Sequence, residues 1–143
     1  MDALTPAQRS KNMSAIRGKD TKPELLVRSY LHSRGVRYRK NVKSLPGKPD
    51  IAIEKYKIAL EVRGCFWHGH KNCKNFRLPK SNQAFWAEKI GGTIERDRRN
   101  QKSLEELGFK IFVVWECQIE RADWSVVDDF VKCYAARKST AYE

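Results

Sequence analysis

An α/β domain with a mixed sheet is the fold this sequence predicts. Three observations carry that expectation: two proline-containing helix starts near the amino end, short apolar strand-like runs between residues 36 and 63, and an apolar run at 109–115 set between two helical segments. A length of 143 residues suits one domain. A chain of that size buries roughly 68–70% of its unfolded surface, so it needs no disulfide scaffold.

Thr5-Pro6-Ala7-Gln8 reads as a helix start, with Thr5 as N-cap and proline in the first turn. That helix, to about Ile16, is short, basic and poor in apolar residues, so residues 1–18 are expected to form an arm that orders against something else. Thr21-Lys22-Pro23-Glu24 repeats the capping pattern and opens a helix with Leu26, Tyr30 and Leu31 on one side and Gly35 as its stop. Val36–Tyr38 reads as a strand. The turn Pro46-Gly47-Lys48-Pro49 leads into a strand at Asp50–Ile53, a turn follows at 54–56, and Lys57–Arg63 forms the next strand, ending at Gly64. Residues 64–81 make a loop rich in cysteine, histidine and aromatics. Ser81 is expected to cap a helix to about Ile90, with Gly91-Gly92 breaking it before a charged segment from Ile94 to Leu107. Phe109–Trp115 is a strand, and Val126–Arg137 is a last helix presenting Val127, Phe130, Val131 and Tyr134.

The charge is uneven. Of a net +12, residues 1–48 hold 12 basic and 3 acidic groups, whereas residues 111–143 hold 4 and 6. Positive potential gathered at one end is the footprint of a surface that binds a polyanion, here nucleic acid. No apolar run is long enough to span a membrane, and no basic amphipathic helix with a broad apolar face offers a membrane surface. The amino end shows no basic region followed by an apolar stretch, so a cytoplasmic, reducing setting is expected. The four cysteines are then thiols or metal ligands more readily than disulfides.

Asp50 and Glu61 fall on neighbouring strands, and Arg63, two residues beyond Glu61, shares its strand face. Paired carboxylates beside a cation suit Mg²⁺ and a phosphate, although the same spacing also fits a cross-strand salt bridge. The segment Cys65-Phe66-Trp67-His68-Gly69-His70-Lys71-Asn72-Cys73 packs two cysteines and two histidines into nine residues, and Cys117 can complete a tetrahedral set for a structural Zn²⁺. With three cysteines bound only one histidine is needed, and the other is free to act as a general base near pH 7 or to make an ordinary hydrogen bond. Cys133 is assigned to packing and His32 to solvent. Phe66, Trp67, Phe85 and Trp86 lie among Lys80, Lys89 and Arg96, a composition that stacks on bases, wedges between base steps or simply fills core.

Several blocks in order resemble the very short patch repair (Vsr) endonucleases, bacterial enzymes that nick DNA at mismatches. They are Arg9-Ser10-Lys11-Asn12-Met13, Leu45 to Asp50, Gly64 to His70, Pro79-Lys80, Phe85-Trp86, Glu95 to Arg99 and Val113 to Cys117. The resemblance covers about residues 8–118. It implies a restriction-endonuclease-like core and Mg²⁺-dependent hydrolysis of one strand beside a T:G mismatch left by deamination of 5-methylcytosine. By the same resemblance Asp50 is the main metal carboxylate, the backbone carbonyl of Val62 a further ligand, and His68 the general base. His70 joins Cys65, Cys73 and Cys117 on zinc, and Glu24 lies near the metal waters. Phe66, Trp67 and Trp86 become the aromatic wedge, Met13 the inserting tip of the arm, and Lys89 and Thr93 DNA contacts. The implied organisation is an arm at 1–18 and a nuclease domain at 19–143. The implied partners are mismatched double-stranded DNA and mismatch-repair proteins, with no membrane and the chain acting as a monomer.

Three positions depart from the family pattern. Glu61 stands where relatives commonly carry an apolar residue, Arg63 where a histidine or acid is usual, and Thr93 where asparagine is usual. Glu61 is therefore expected to bind metal directly. The competing readings are a restriction-like endonuclease that cuts paired sites and a zinc-stabilised DNA-binding module without catalysis.

Overall fold

The computed structural model describes residues 20–140. The helix expected at 5–16, Met13 and the arm lie outside them. The described elements run in the order helix α1 (Lys22–Ser33), strand β1 (Arg39–Lys40), β2 (Ile51–Ile53), a single 3₁₀ turn (Glu54–Tyr56), β3 (Ile58–Arg63), α2 (Gln83–Glu106), β4 (Lys110–Trp115), α3 (Glu116–Glu120) and α4 (Ser125–Thr140). The sheet order is β1-β2-β3-β4. The first two pairings are antiparallel and β3 with β4 is parallel, so the sheet is mixed as expected.

A parallel pair needs a crossover, and α2 supplies it, covering one face of the sheet while α1, α3 and α4 cover the other. The two faces hold separate apolar clusters. Val27 and Leu31 of α1 pack with Ile51, Ile58, Leu60, Val114 and Phe130 on one side, and Leu104 of α2 packs with Ala52, Ala59 and Phe109 on the other. Coverage on both faces explains why residues 51–53 and 58–60 are all buried and why their apolar alternation is incomplete. Cys133 packs against the larger cluster and His32 is exposed, as expected.

Thr21 caps α1, its side chain accepting from the Glu24 N–H at 3.5 Å. The buried face of that helix is Glu24, Val27, Arg28 and Leu31, whereas Leu26 is 43% exposed, one position off the expected stripe. Tyr30 is half-buried because its ring stacks on Trp124, 4.2 Å between centroids.

Other boundaries differ for local reasons. Val36 is not in a strand: Gly35 turns at φ +73° and the Val36 N–H bonds back to Leu31, so residues 36–38 serve the helix exit and β1 starts only at Arg39. Asn82, not Ser81, precedes α2, in the left-handed region at φ +56°. α2 runs unbroken through Gly91-Gly92 for 24 residues. Glycine keeps its N–H donor, so each costs a helix only about 1 kcal/mol, which the anchored side chains Ile90 and Leu104 offset. The short α3 was not expected, and it moves Cys117 from a strand end into a helical first turn.

Candidate active site and metal centre

Strand register builds the acidic site. One step beyond the Ile51↔Leu60 pair, Asp50 falls opposite Glu61, and both lie on the sheet face covered by α2. The Val62 N–H, past the end of the β2 pairing, donates to Asp50 Oδ2 at 2.7 Å and fixes the carboxylate. Glu24 enters from α1, His68 from the loop after β3, and Asp97 from α2. A cavity of about 230 Å³ is lined by Glu24, Asp50, Glu61, Arg63, His68 and Asp97, with the Val62 main chain also at its wall. The structure thus gathers in one place Glu24, Asp50, Glu61, Val62, Arg63 and His68.

Each acid has a distinct environment. Burial pushes the Asp50 carboxyl up to about 7 against the pull of the Val62 N–H, and the negative charges of Glu24 and Glu61 add to the rise. Glu61 is held through one oxygen, Oε2, which accepts from Arg63 Nε at 3.1 Å and Nη2 at 2.8 Å. The ion pair lies along one strand rather than across two. Glu24 Oε2 accepts from the Asp20 N–H at 2.7 Å and from Arg28 Nη2 at 3.3 Å. Its capping-box position and its place in the acidic cavity therefore coexist.

Asp97 is the residue sequence reasoning left without a role. Its Oδ2 lies 2.7 Å from His68 Nδ1. An Asp–His pair of that length fixes the imidazole ring and, with the proton on Nδ1, leaves Nε2 as an acceptor. The signal was the run of charges at 95–99 on a helix that has to cross the sheet face carrying Asp50.

The second centre lies next to the first. The ligand atoms of Cys65, His70, Cys73 and Cys117 all lie within 4.8 Å of one another. Thiolates on a tetrahedral Zn²⁺ with bonds of about 2.3 Å sit about 3.8 Å apart, so the cluster fits the ion and suggests a zinc site. Its surroundings are those of bound sulfur: the Cys117 N–H points at Cys65 Sγ (3.4 Å) and the Asn75 N–H at Cys73 Sγ (3.4 Å). The Asn75 N–H pulls the Cys73 thiol below its usual range, and burial holds His70 below the ordinary imidazole value, hence neutral and able to ligate. Burial pushes the Cys65 thiol up to about 12, the cost a metal cation offsets. His70 stacks on Trp115 at 3.9 Å, which aligns its ring. The two histidines are separated, His68 lining the acidic cavity and His70 beside the cysteines.

Phe66, Trp67 and Trp86 make one cluster of ring contacts at 5.1–5.8 Å, and Phe85 extends it into solvent at 57% exposure. The loop that carries Phe66 and Trp67 docks on α2 at Gly69, where φ is +59° and a Cβ would stand 2.7 Å from Ile94 Cδ1. On the exposed side of α2, the Thr93 hydroxyl donates to the Lys89 carbonyl and accepts from Arg96 Nη2, both at 3.2 Å. Lys89 and Arg96 flank an open groove of about 410 Å³ with Phe85 and Gly92. Among the described residues, no helix is long and apolar enough to cross a membrane.

Comparison with known proteins places these features. The family model for the DNA mismatch endonuclease Vsr matches residues 1–75. The chain is 50% identical over 119 residues to the type II nicking enzyme V.NmeAIP of Neisseria meningitidis serogroup A, covering 83% of this chain and 84% of that protein. It is 43% identical over 118 residues to the DNA mismatch endonuclease Vsr of Escherichia coli, covering 82% and 75%. A third relative, the type II nicking enzyme V.XorIIP of Xanthomonas oryzae, is 44% identical over 118 residues. The mixed sheet with its flanking helices is restriction-endonuclease-like, as that family is. With its acidic cavity and its Cys₃His cluster, this chain belongs to the Vsr family of DNA nicking endonucleases.

Proposed function

We propose that the enzyme nicks one strand of double-stranded DNA beside a T:G mismatch, in a Mg²⁺-dependent reaction. The observation that carries this reading is the convergence of Asp50, Glu61 and the Asp97-held His68 on one cavity in a basic chain of this family. Of the relatives, the E. coli protein bears the name of a mismatch endonuclease, which supports the substrate assignment.

Asp50, Glu61 and the Val62 carbonyl would hold the metal. The Asp50 and Glu61 carboxylates are hard oxygen donors, the second oxygen of Glu61 is not taken by Arg63, and the cost of burying the Asp50 carboxylate is one a bound cation would offset. Bound there, Mg²⁺ would supply charge neutralisation at the phosphate and would lower the pKa of bound water. His68 Nε2 takes the proton of the attacking water while Asp97 stabilises the imidazolium that forms. The water oxygen bonds to phosphorus as one bridging P–O bond breaks, and the leaving sugar oxygen takes a proton from solvent water. Arg63, steered by Glu61, stabilises the negative charge on the non-bridging oxygens. Glu24, which accepts from Arg28, orders water on the far side.

Asp97→Asn tests the His68 role. The amide presents a donor as readily as an acceptor, so the imidazole loses its fixed tautomer, and single-turnover nicking is expected to fall about 10²-fold or more with DNA affinity unchanged. A wild-type rate would remove His68 from proton transfer.

For DNA contact we assign Lys89, Thr93 and the Phe66–Trp67–Trp86 cluster, with Met13 on an arm at residues 1–18. The bare turn of α2 supports this. Among the described residues, a Cβ on Gly91 would meet nothing within 4 Å and one on Gly92 only the tip of Arg96 at 3.8 Å, so their packing gives no reason for either glycine. Gly91→Ala combined with Gly92→Ala is therefore expected to stabilise the protein by about 1–2 kcal/mol while weakening duplex binding several-fold. Thermal unfolding and a duplex-binding titration check the two signs, and a stabilised variant with full affinity would take this face out of the interface.

A further inference from the structure

We propose that a second cavity, beside the catalytic one, is a subsite for the phosphate that neighbours the scissile phosphate on the cleaved strand, held by Lys71, Arg98 and Lys102. The proposal rests on the nuclease reading above. The cavity measures about 500 Å³ and shares Arg63, His68 and Asp97 with the acidic pocket, continuing from it toward the zinc cluster, where His70 and Trp115 form its wall. A volume of that order holds a ligand the size of a nucleotide unit.

Its charge has no purpose within the fold. Arg98 and Lys102 stand four residues apart on α2, where like charges repel, and Lys71 joins them from the loop. Among the described residues none of the three is in an ion pair. The acids at the cavity have partners on its own wall, and neither pairs with Lys71, Arg98 or Lys102: Asp97 holds His68, and Glu105 accepts from Gln101 Nε2 at 3.3 Å. Three cations left facing one concavity match a polyanion. The adjoining catalytic pocket fixes where that polyanion runs, since successive phosphates of a strand rise by only about 3.4 Å along the helix axis. The half-buried Trp115 offers apolar surface to the intervening sugar.

The test pairs the variant Lys71→Gln/Arg98→Gln/Lys102→Gln with duplexes carrying a neutral methylphosphonate at one phosphate at a time, across three positions on each side of the nick. Dissociation constants are measured without Mg²⁺. For the wild type, one methylphosphonate next to the nick is expected to weaken binding about 5–10-fold. The triple variant binds the unmodified duplex at least about 10-fold more weakly, with a salt dependence reduced by two to three charges, and is indifferent to that same methylphosphonate. Zinc content and the Mg²⁺ concentration for half-maximal nicking stay at wild-type values. Equal losses at every phosphate, or wild-type affinity in the variant, would overturn the subsite. So would inhibition by millimolar inorganic phosphate that the variant abolishes without any coupling to a strand phosphate, which would mark a free-phosphate site. If the wild type bound no duplex at all, the nuclease reading itself would fail, whereas tight wild-type binding without coupling removes the subsite alone.

Discussion

Asp50→Asn is expected to abolish nicking and, in Mg²⁺-free buffer, to make the protein more stable. Activity should fall at least 10³-fold, because the variant replaces the carboxylate proposed to hold Mg²⁺ with a neutral amide. The stability change follows from linkage. Burial raises the folded-state carboxyl from 3.8 to about 7, so between pH 4 and 7 the folded protein binds a proton that the unfolded chain has released. Asp50 therefore weakens the fold progressively as pH rises through that window, and the deficit is complete above pH 7. The shift corresponds to on the order of 2–4 kcal/mol, which the amide recovers. Thermal unfolding at pH 5 and pH 8 should show a small advantage for the variant at the lower pH and the larger one at pH 8. Added Mg²⁺ should close the gap at pH 8 by stabilising the wild type alone. A variant no more stable than wild type at pH 8 would contradict the strained-carboxylate account.

Cys73→Ser is expected to cost the fold itself. The segment from Gly64 to Asn82 contains no helix or strand, yet it carries His68, Phe66 and Trp67. Its apolar anchors are few, and the cysteine cluster clips it to α3, beyond the end of β4. Structural Zn²⁺ contributes on the order of 10 kcal/mol or more in small sites, as much as the whole stability of a typical domain, so loss of one ligand should leave a chain that is largely unfolded or lacks an ordered loop. Elemental analysis of the wild type should give one zinc per chain, and circular dichroism with amide exchange should show the collapse in Cys73→Ser. A metal-free protein with a native spectrum and full activity would refute the structural role.

Much of this was legible because local rules and tertiary demands agree. The Thr21-Lys22-Pro23-Glu24 cap, the strands around Asp50 and Glu61, and the apolar run into Trp115 follow from capping chemistry and strand patterning, and the structure places each within a few residues. The Cys/His spacing predicted a four-ligand cluster, and the cluster is there. The errors share a cause. Gly91-Gly92 looked like a break because glycine propensity was read without the packing of Ile90 and Leu104 that carries α2 through it. Val36 looked like strand because β-branched residues also serve where a helix exit folds back onto the core, and Leu26 looked buried because its neighbour Val27 takes the inward position. The pairing of His68 with Asp97 spans 29 residues and depends on how α2 crosses the sheet, a relation that spacing along the chain does not encode. The same holds for the Glu61–Arg63 ion pair, whose existence the shared strand face permitted but whose geometry only the folded site defines.

The measurement that bears most directly on the central claim is strand-resolved cleavage of an end-labelled duplex containing one T:G mismatch, beside the same duplex with a T:A pair, with and without Mg²⁺, for wild type and Asp50→Ala. The account predicts a single nick in the T strand of the mismatched duplex, dependent on both Mg²⁺ and Asp50, with the paired duplex intact. Cutting of the paired duplex, or nicking that survives Asp50→Ala, would contradict it.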